Sequence, residues 1–249
     1  MSRPVIDPAL LEHVYLQRMT MCDMERALHP ERSFMELMCG KDRREEWARS
    51  RSLLAFESWD KKDEDGILGA AIRVLSSLSE DGKGYRGLLY YESMLRHSGG
   101  RIAESLYRLF REDRDAEAFD SLMLVMHKIP MPRRASAARV SMPAYFFFLK
   151  DPGTYVPYGE FMFEPCLAAL GVRQPFGESF KGYSDYLRMI GQIRLFLRQR
   201  IGEDVSLMQA YGFFGGAWRS RRDTPEWTGG EDAFAARHGP GDHVSSPGE

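Results

Sequence analysis

Clustered arginines are the feature of this sequence whose residue type and spacing suggest a chemistry, and that chemistry is phosphate binding. The chain of 249 residues holds 34 Lys and Arg residues, and guanidinium groups match phosphate oxygens in a bidentate geometry. Arg194 and Arg198 are four residues apart in a helical pattern, so they share a helix face. The other two clusters are Arg133, Arg134 and Arg139, and Arg219, Arg221 and Arg222.

The net charge of −2 hides an uneven distribution along the chain. Residues 1–128 carry 20 basic and 23 acidic side chains, whereas residues 129–222 carry 13 basic and 7 acidic ones. Residues 223–249 carry one Arg against six acids and are rich in Gly, Pro and Ser, so we predict a disordered acidic tail. That tail could fold back and mask the basic half, or could act only to keep the chain soluble.

Aromatic residues and a lysine complete the predicted binding surface. Tyr155, Tyr158 and Tyr183 are available to stack on bases, and Lys181 adds a cation. The alternative interpretation is that Arg is simply the preferred cation of this chain and that the clusters form solvated faces.

The sequence motifs of common catalytic and metal sites are absent. No phosphate-binding glycine loop, HExxH, ExxH or GxSxG motif occurs in the sequence. The run Asp60-Lys61-Lys62 matches the D-x-K fragment of metal-dependent nucleases, but it ends a predicted helix, whereas such sites lie on strands. The acidic residues before Gly66 resemble part of a calcium loop, yet Lys61 and Ile72 occupy its first and twelfth positions. We therefore predict no catalytic residue, no metal site and no cofactor.

Three widely spaced cysteines, Cys22, Cys39 and Cys166, form no CxxC pair and indicate free thiols in a reducing compartment. The N-terminal residues lack the apolar core of a signal peptide, and no apolar run reaches the ~20 residues that span a bilayer. We expect a cytoplasmic protein without a membrane partner.

The apolar spacing is helical almost throughout, which predicts an all-α protein. Asp7-Pro8 is typical of a helix start, while Gly40, Gly171 and Gly202 stand where helices end. We predict an N-terminal helical bundle over 1–128, a smaller basic, aromatic-rich helical unit over 129–222, and the tail over 223–249. The stretch AYFFFL after Pro143 is the one place for a strand, although Pro143 also suits a helix start.

Two of the predicted helices have recognisable limits. Asp42 with Glu45 is typical of a capping box and begins a helix that runs to Trp59, where the charged run Asp60–Gly66 breaks the pattern. Apolar spacing predicts another helix over Leu88–Leu95. The tryptophans predicted as core anchors are Trp47, Trp59 and Trp218.

The segment SMPAYFFFLKDPGTYVPYGEFMFEPCLAALGV and its continuation to Trp218 contain an apolar helix, a Leu-x-x-Pro turn and a helix ending in Ala-Leu-Gly. In this order of helices and turn, residues 141–218 resemble helical segments of uncharacterised bacterial proteins associated with restriction or defence systems and with glycosylase-like DNA-binding domains. The glycosylase Lys and Asp and the glycine-rich hairpin have no counterpart here. The resemblance implies a DNA-associated accessory protein of a bacterial defence or mobile-element system.

These observations predict a non-catalytic protein that binds the phosphate backbone of DNA or RNA through its C-terminal arginines. The first alternative is a protein-interaction module, a scaffold or partner subunit, that uses Met- and Leu-rich helical faces. A third is an enzyme with an unrecognised site. The methionines concerned are Met19, Met21, Met24, Met35, Met38, Met123 and Met126.

Overall fold

A computed structural model describes residues 6–40, 44–80, 95, 100–128, 138–158, 163–172, 176–202 and 204–217. These ranges contain ten α-helices, one 3-10 turn at Phe56–Ser58 and no strand, so the predicted all-α class is confirmed. The helices in chain order are α1 (Pro8–Leu28), α2 (Phe34–Cys39), α3 (Arg44–Leu54), α4 (Glu64–Glu80), α5 (Gly100–Arg111), α6 (Asp115–Lys128), α7 (Ala138–Lys150), α8 (Phe163–Ala169), α9 (Phe180–Ile201) and α10 (Leu207–Gly216).

Short polar residues and glycines set the helix ends, largely as the sequence predicts. The Asp7 carboxylate accepts hydrogen bonds from the backbone N–H groups of Ala9 and Leu10, at 2.8 and 3.3 Å, and so caps α1. Gly40 ends α2 with φ +87°, and Gly202 ends α9 with φ +74°, a left-handed backbone region that glycine enters without strain.

Three local predictions are corrected by the structure. The predicted helix to Trp59 stops at Leu54, because Ala55 has φ +47° and a 3-10 turn follows. Helix α4 begins inside the acidic turn, since the Asp63 carboxylate accepts the Gly66 N–H and caps it. Pro143 lies within α7 rather than at its start; burial of most of this helix outweighs the one hydrogen bond that proline removes.

The core runs continuously through both predicted helical units. Its centre is aromatic: the Phe119 ring of α6 stacks on the Tyr183 ring of α9, with centroids 5.1 Å apart. The predicted boundary near residue 128 adjoins the undescribed residues 129–137, and buried residues on both sides of it belong to one hydrophobic cluster. Trp59 is buried and Trp47 packs edge-on against Phe148 at 4.8 Å, as predicted for core anchors.

Several predictions fall outside the described residues. These are the capping box that begins at Asp42, most of the helix predicted over Leu88–Leu95, the position of Trp218 and the acidic tail.

Candidate functional site

Two of the three tyrosines predicted to stack on bases are core residues. Tyr183 is fully buried and its hydroxyl donates a 2.7 Å hydrogen bond to the Val156 carbonyl oxygen. Tyr155 is buried and its hydroxyl donates to the Asp115 carboxylate. Neither ring has a face open to solvent, so the structure gives no support to the stacking role predicted for these two residues. Tyr158 is half-buried, with its ring edge-on to Tyr186 at 5.2 Å.

The predicted arginine pair on α9 has protein partners. The Arg194 Nε donates to the Val205 carbonyl oxygen at 2.7 Å, and its guanidinium lies 3.9 Å from the Asp204 carboxylate. Arg198 forms an ion pair with the same carboxylate. These contacts hold the turn after α9 against the helix, so the structure gives both arginines a structural role.

The remaining predicted cations lie around one corner of the bundle or outside the described residues. An Arg139 Nη1–His127 Nδ1 contact of 3.0 Å joins the start of α7 to the end of α6, and His127 Nε2 lies 3.1 Å from the Glu178 carboxylate. Lys181 is exposed on the first turn of α9. The others, Arg133, Arg134, Arg219, Arg221 and Arg222, are not among the described residues.

A polar cluster that sequence reasoning missed lies where α7 ends. The Lys150 Nζ is 2.6 Å from the Asp115 carboxylate and 2.9 Å from that of Asp113. Burial lowers the pKa of Lys150, but the hydrogen bonds and charges of the two carboxylates outweigh it and raise that pKa overall. Burial and the bond to Asp115 raise the pKa of Tyr155. No local motif marks this cluster, because its members lie up to 42 residues apart in sequence; its hydrogen bonds anchor the loop after α7.

A shallow concavity of about 460 Å³ is lined by charged side chains whose positive and negative charges are paired. The lining residues are Lys61, Arg108, Glu112 and Arg114. Its lining cations each face a carboxylate: Lys61 lies 3.6 Å from Glu112, Arg108 2.6 Å from Glu104, and Arg114 3.3 Å from Glu117. With every cation paired, this surface has no excess charge to attract an anion.

Within the part of the chain that the structure describes, no three or more His, Cys, Asp or Glu side chains are grouped so that they could bind a metal ion. The three cysteines are buried free thiols. None of the described helices combines the length and the apolarity required to cross a bilayer.

One line of solvent-facing positions on α1 is unusual because it lacks charge. The core side of this helix is formed by buried residues at spacings of three and four, among them Leu11, Arg18 and Cys22. Surface helices normally place charged side chains opposite such a face. Here the outermost positions form what we name the α1 outer strip, in which every residue is exposed and none is formally acidic or basic apart from histidine. The α1 outer strip consists of Ala9, His13, Leu16, Thr20, Met24 and Ala27.

Large apolar side chains in and beside the α1 outer strip are open to solvent. Leu16 is 55% exposed, Met24 67%, and Leu28, at the end of the same helix, 75%. Met24 therefore belongs to a surface, whereas Met38, Met123 and Met126 are buried in the core. These methionines are therefore divided between the surface and the core.

Comparison of the chain with protein-family models, curated proteins and solved structures finds no match.

Proposed function

We propose that this chain is a helical protein-interaction module that binds its partner through the α1 outer strip. The observation that supports this proposal is the exposure of Leu16, Met24 and Leu28 on one helix of 21 residues. Isolated exposed leucines are ordinary, but several large apolar side chains exposed on one surface helix are more characteristic of a binding surface. Helices with apolar residues at such spacing bind to grooves or to other helices.

The contacts that fix α1 against α2 and α9 support the same proposal. The buried Arg18 guanidinium donates to the carbonyl oxygens of Leu37 and Met38, at 2.6 and 2.9 Å, and so ties α1 to the end of α2. The Tyr15 ring packs edge-on against Phe196 of α9 at 5.6 Å. A rigid helix presents its outer face without an ordering cost on binding, which favours affinity.

The proposal is tested by the size of the assembly that contains the full chain in an extract of cells producing it. We expect the tagged wild-type chain to elute from a sizing column above its own mass of 28.6 kDa. The double variant Leu16→Glu, Met24→Glu should elute as a monomer, since both replacements are at exposed positions and leave the core intact. Equal elution of the two proteins would overturn the proposal.

A second candidate function is the phosphate-backbone binding predicted from the arginine clusters, and the corner formed by α6, α7 and α9 favours it. Lys128 and Lys181 are exposed there, with no acidic side chain within ion-pair distance among the described residues. Arg139 lies at the same corner, and the intervening sequence carries Arg133 and Arg134.

Fluorescence anisotropy with labelled single- and double-stranded DNA and RNA distinguishes this candidate. Phosphate binding should weaken steeply between about 50 and 200 mM salt, because it releases counterions. It should also weaken in Lys128→Ala, Lys181→Ala. Absence of binding at low salt would exclude it. The matched control is Lys61→Ala, which removes a cation that faces Glu112.

A further inference from the structure

We infer that His127 is a pH-sensitive switch that holds Arg139 while its imidazole is neutral and releases Arg139 when the imidazole is protonated. The inference is independent of the α1 outer strip and concerns the corner formed by α6, α7 and α9. His127 lies in the last turn of α6, Arg139 at the start of α7, and Glu178 just before α9. The consequence for phosphate binding, argued below, rests on the second candidate function.

The contacts of His127 define which ring nitrogen carries the proton. A guanidinium group only donates hydrogen bonds, so the Nδ1 atom that lies 3.0 Å from Arg139 Nη1 accepts and is unprotonated. The proton of the neutral ring is then on Nε2, which lies 3.1 Å from the Glu178 carboxylate and donates to it. The neutral ring therefore satisfies both neighbours in one tautomer only.

Protonation of the ring reverses one of these contacts and strengthens the other. The second proton binds at Nδ1, where the new N–H group faces the N–H group of Arg139 and two positive charges come into contact. The contact with Glu178 becomes an ion pair. Arg139 is therefore displaced, whereas His127 stays beside Glu178. Histidine changes charge between about pH 5 and 8, so the exchange occurs close to neutral pH.

Arg139 has no charged partner that would keep it in place. Its Nε atom is enclosed by protein but has no hydrogen-bond partner. Among the described residues, no carboxylate lies within ion-pair distance of its guanidinium. A hydrogen bond to a neutral ring is weaker than a bond to a carboxylate. Loss of the His127 contact therefore leaves this guanidinium free to bind an anion such as a phosphate group.

The other charged groups of the corner lie around the ring without contacting its nitrogens. Lys128 follows His127 and is exposed, and Lys181 is exposed on the first turn of α9. The Asp120 carboxylate, two turns earlier on α6, accepts the Phe180 N–H at 2.7 Å. The carbonyl groups at the C-terminal end of α6 attract a positive charge on its last turn. Arg139 and Glu178 are the described groups that contact the imidazole nitrogens, so protonation acts on these two.

Double-mutant cycles at two pH values test the switch in the purified full chain. Urea unfolding gives the equilibrium constant for the wild type, His127→Ala, Arg139→Met and the double variant. At about pH 8 the coupling of His127 with Arg139 should favour the folded state about twofold, as is typical of exposed pairs. At about pH 5.5 this coupling should disappear or reverse, because the ring is then charged. A parallel cycle with Glu178→Gln should show a stronger coupling at the lower pH.

The matched control for these cycles is the Glu104–Arg108 pair of α5. Its atoms are 2.6 Å apart and it contains no histidine. The coupling of this pair should be the same at both pH values, because neither side-chain type changes charge between them.

Binding of labelled single-stranded DNA at low salt measures the consequence for phosphate binding. The affinity of the wild type should be about threefold higher at about pH 5.5 than at about pH 8, because the released guanidinium and the imidazolium add two cations. His127→Gln keeps a neutral acceptor and donor at this position and should show a smaller increase.

The outcomes separate the switch from the second candidate function. A His127–Arg139 coupling of the same sign and size at both pH values would overturn the switch, whatever the DNA result. A coupling that reverses in a protein that binds no DNA at either pH would support the switch and exclude the second candidate function. DNA binding with the same pH dependence in the wild type and His127→Gln would overturn the role of the released Arg139 in phosphate binding.

Discussion

Gly212 of α10 lies directly against the backbone of Cys39 at the end of α2, since a Cβ at Gly212 would overlap the Cys39 carbonyl oxygen. No side chain fits there unless the two helices separate. The same contact region includes Arg18, whose guanidinium bonds to the carbonyl groups just before Cys39. The packing of α1 therefore depends on Gly212, because this glycine allows α10 to approach the end of α2 to which Arg18 is bonded.

Replacing Gly212 by alanine should destabilise the protein by about 3 kcal/mol, because the added methyl group overlaps backbone rather than a movable side chain. Urea unfolding followed by circular dichroism measures this. Gly191 on α9 is the matched control, since a methyl group at that position would have nothing within 4 Å of it. Gly191→Ala should stabilise by about 0.5–1 kcal/mol through helix propensity alone. Equal effects of the two substitutions would contradict the close approach.

Replacing Arg18 by methionine should cost about 3 kcal/mol, since two buried carbonyl oxygens at the end of α2 would lose their donors. The change is measured as the free energy of unfolding. Arg26 is exposed on the same helix, and Arg26→Met should change that energy by about 0.5 kcal/mol or less. A cost for Arg18→Met no greater than that for Arg26→Met would show that the Arg18 contacts contribute little.

The free energy of unfolding should decrease at alkaline pH. Burial raises the pKa of Tyr183, and burial with the bond to Asp115 raises that of Tyr155; the pKa of Lys150 is raised as well. The contribution of these protonated groups to the free energy of unfolding is therefore complete below the unfolded tyrosine pKa of about 10. It decreases as the pH rises beyond that value, because the unfolded chain releases protons that the folded chain retains.

The free energy of unfolding should be measured from about pH 8 to 11, a range that spans the unfolded tyrosine pKa. Its decrease over this range should be smaller in Tyr155→Phe than in the wild type. Tyr183→Phe should cost about 1 kcal/mol at the lower end of this range, through the lost bond to Val156, and should also flatten the slope. Parallel pH profiles for all three proteins would argue against the burial of these hydroxyls.

The native thiols should be inert. Burial raises the pKa of the Cys39 thiol to about 12, and burial also raises that of Cys22; Cys166 is fully buried. A thiol reagent at about pH 8 should modify none of the three in the folded protein and all three after denaturation. Rapid modification of any of them before unfolding would contradict the packing around it.

The helical class and many helix ends could be predicted because they depend on local rules. Asp7 and Gly40 act through hydrogen bonds and backbone angles within a few residues of themselves. Tyr155 and Tyr183 could not be placed in this way. Their burial results from contacts with Asp115 and Val156, which lie 40 and 27 residues away, and a tyrosine beside cations in sequence has the same local pattern whether it is exposed or buried.

The α1 outer strip was accessible to sequence reasoning only in part. Leu16, Met24 and Leu28 fit the same helical periodicity as the core residues of α1, so the spacing alone does not show which side faces the core. The structure shows that the side of α1 that faces the core includes the charged residue Arg18, whereas Leu16, Met24 and Leu28 lie on the exposed side. This is the reverse of what residue type alone would predict.

The size of the assembly that contains the full chain in an extract of cells producing it tests the central claim most directly. Binding through the α1 outer strip predicts that the wild-type chain elutes from a sizing column above its own mass of 28.6 kDa. It also predicts that Leu16→Glu, Met24→Glu elutes as a monomer and, once purified, has unchanged helical content. A wild-type chain that elutes as a monomer, or a double variant that elutes with the wild type, would contradict it.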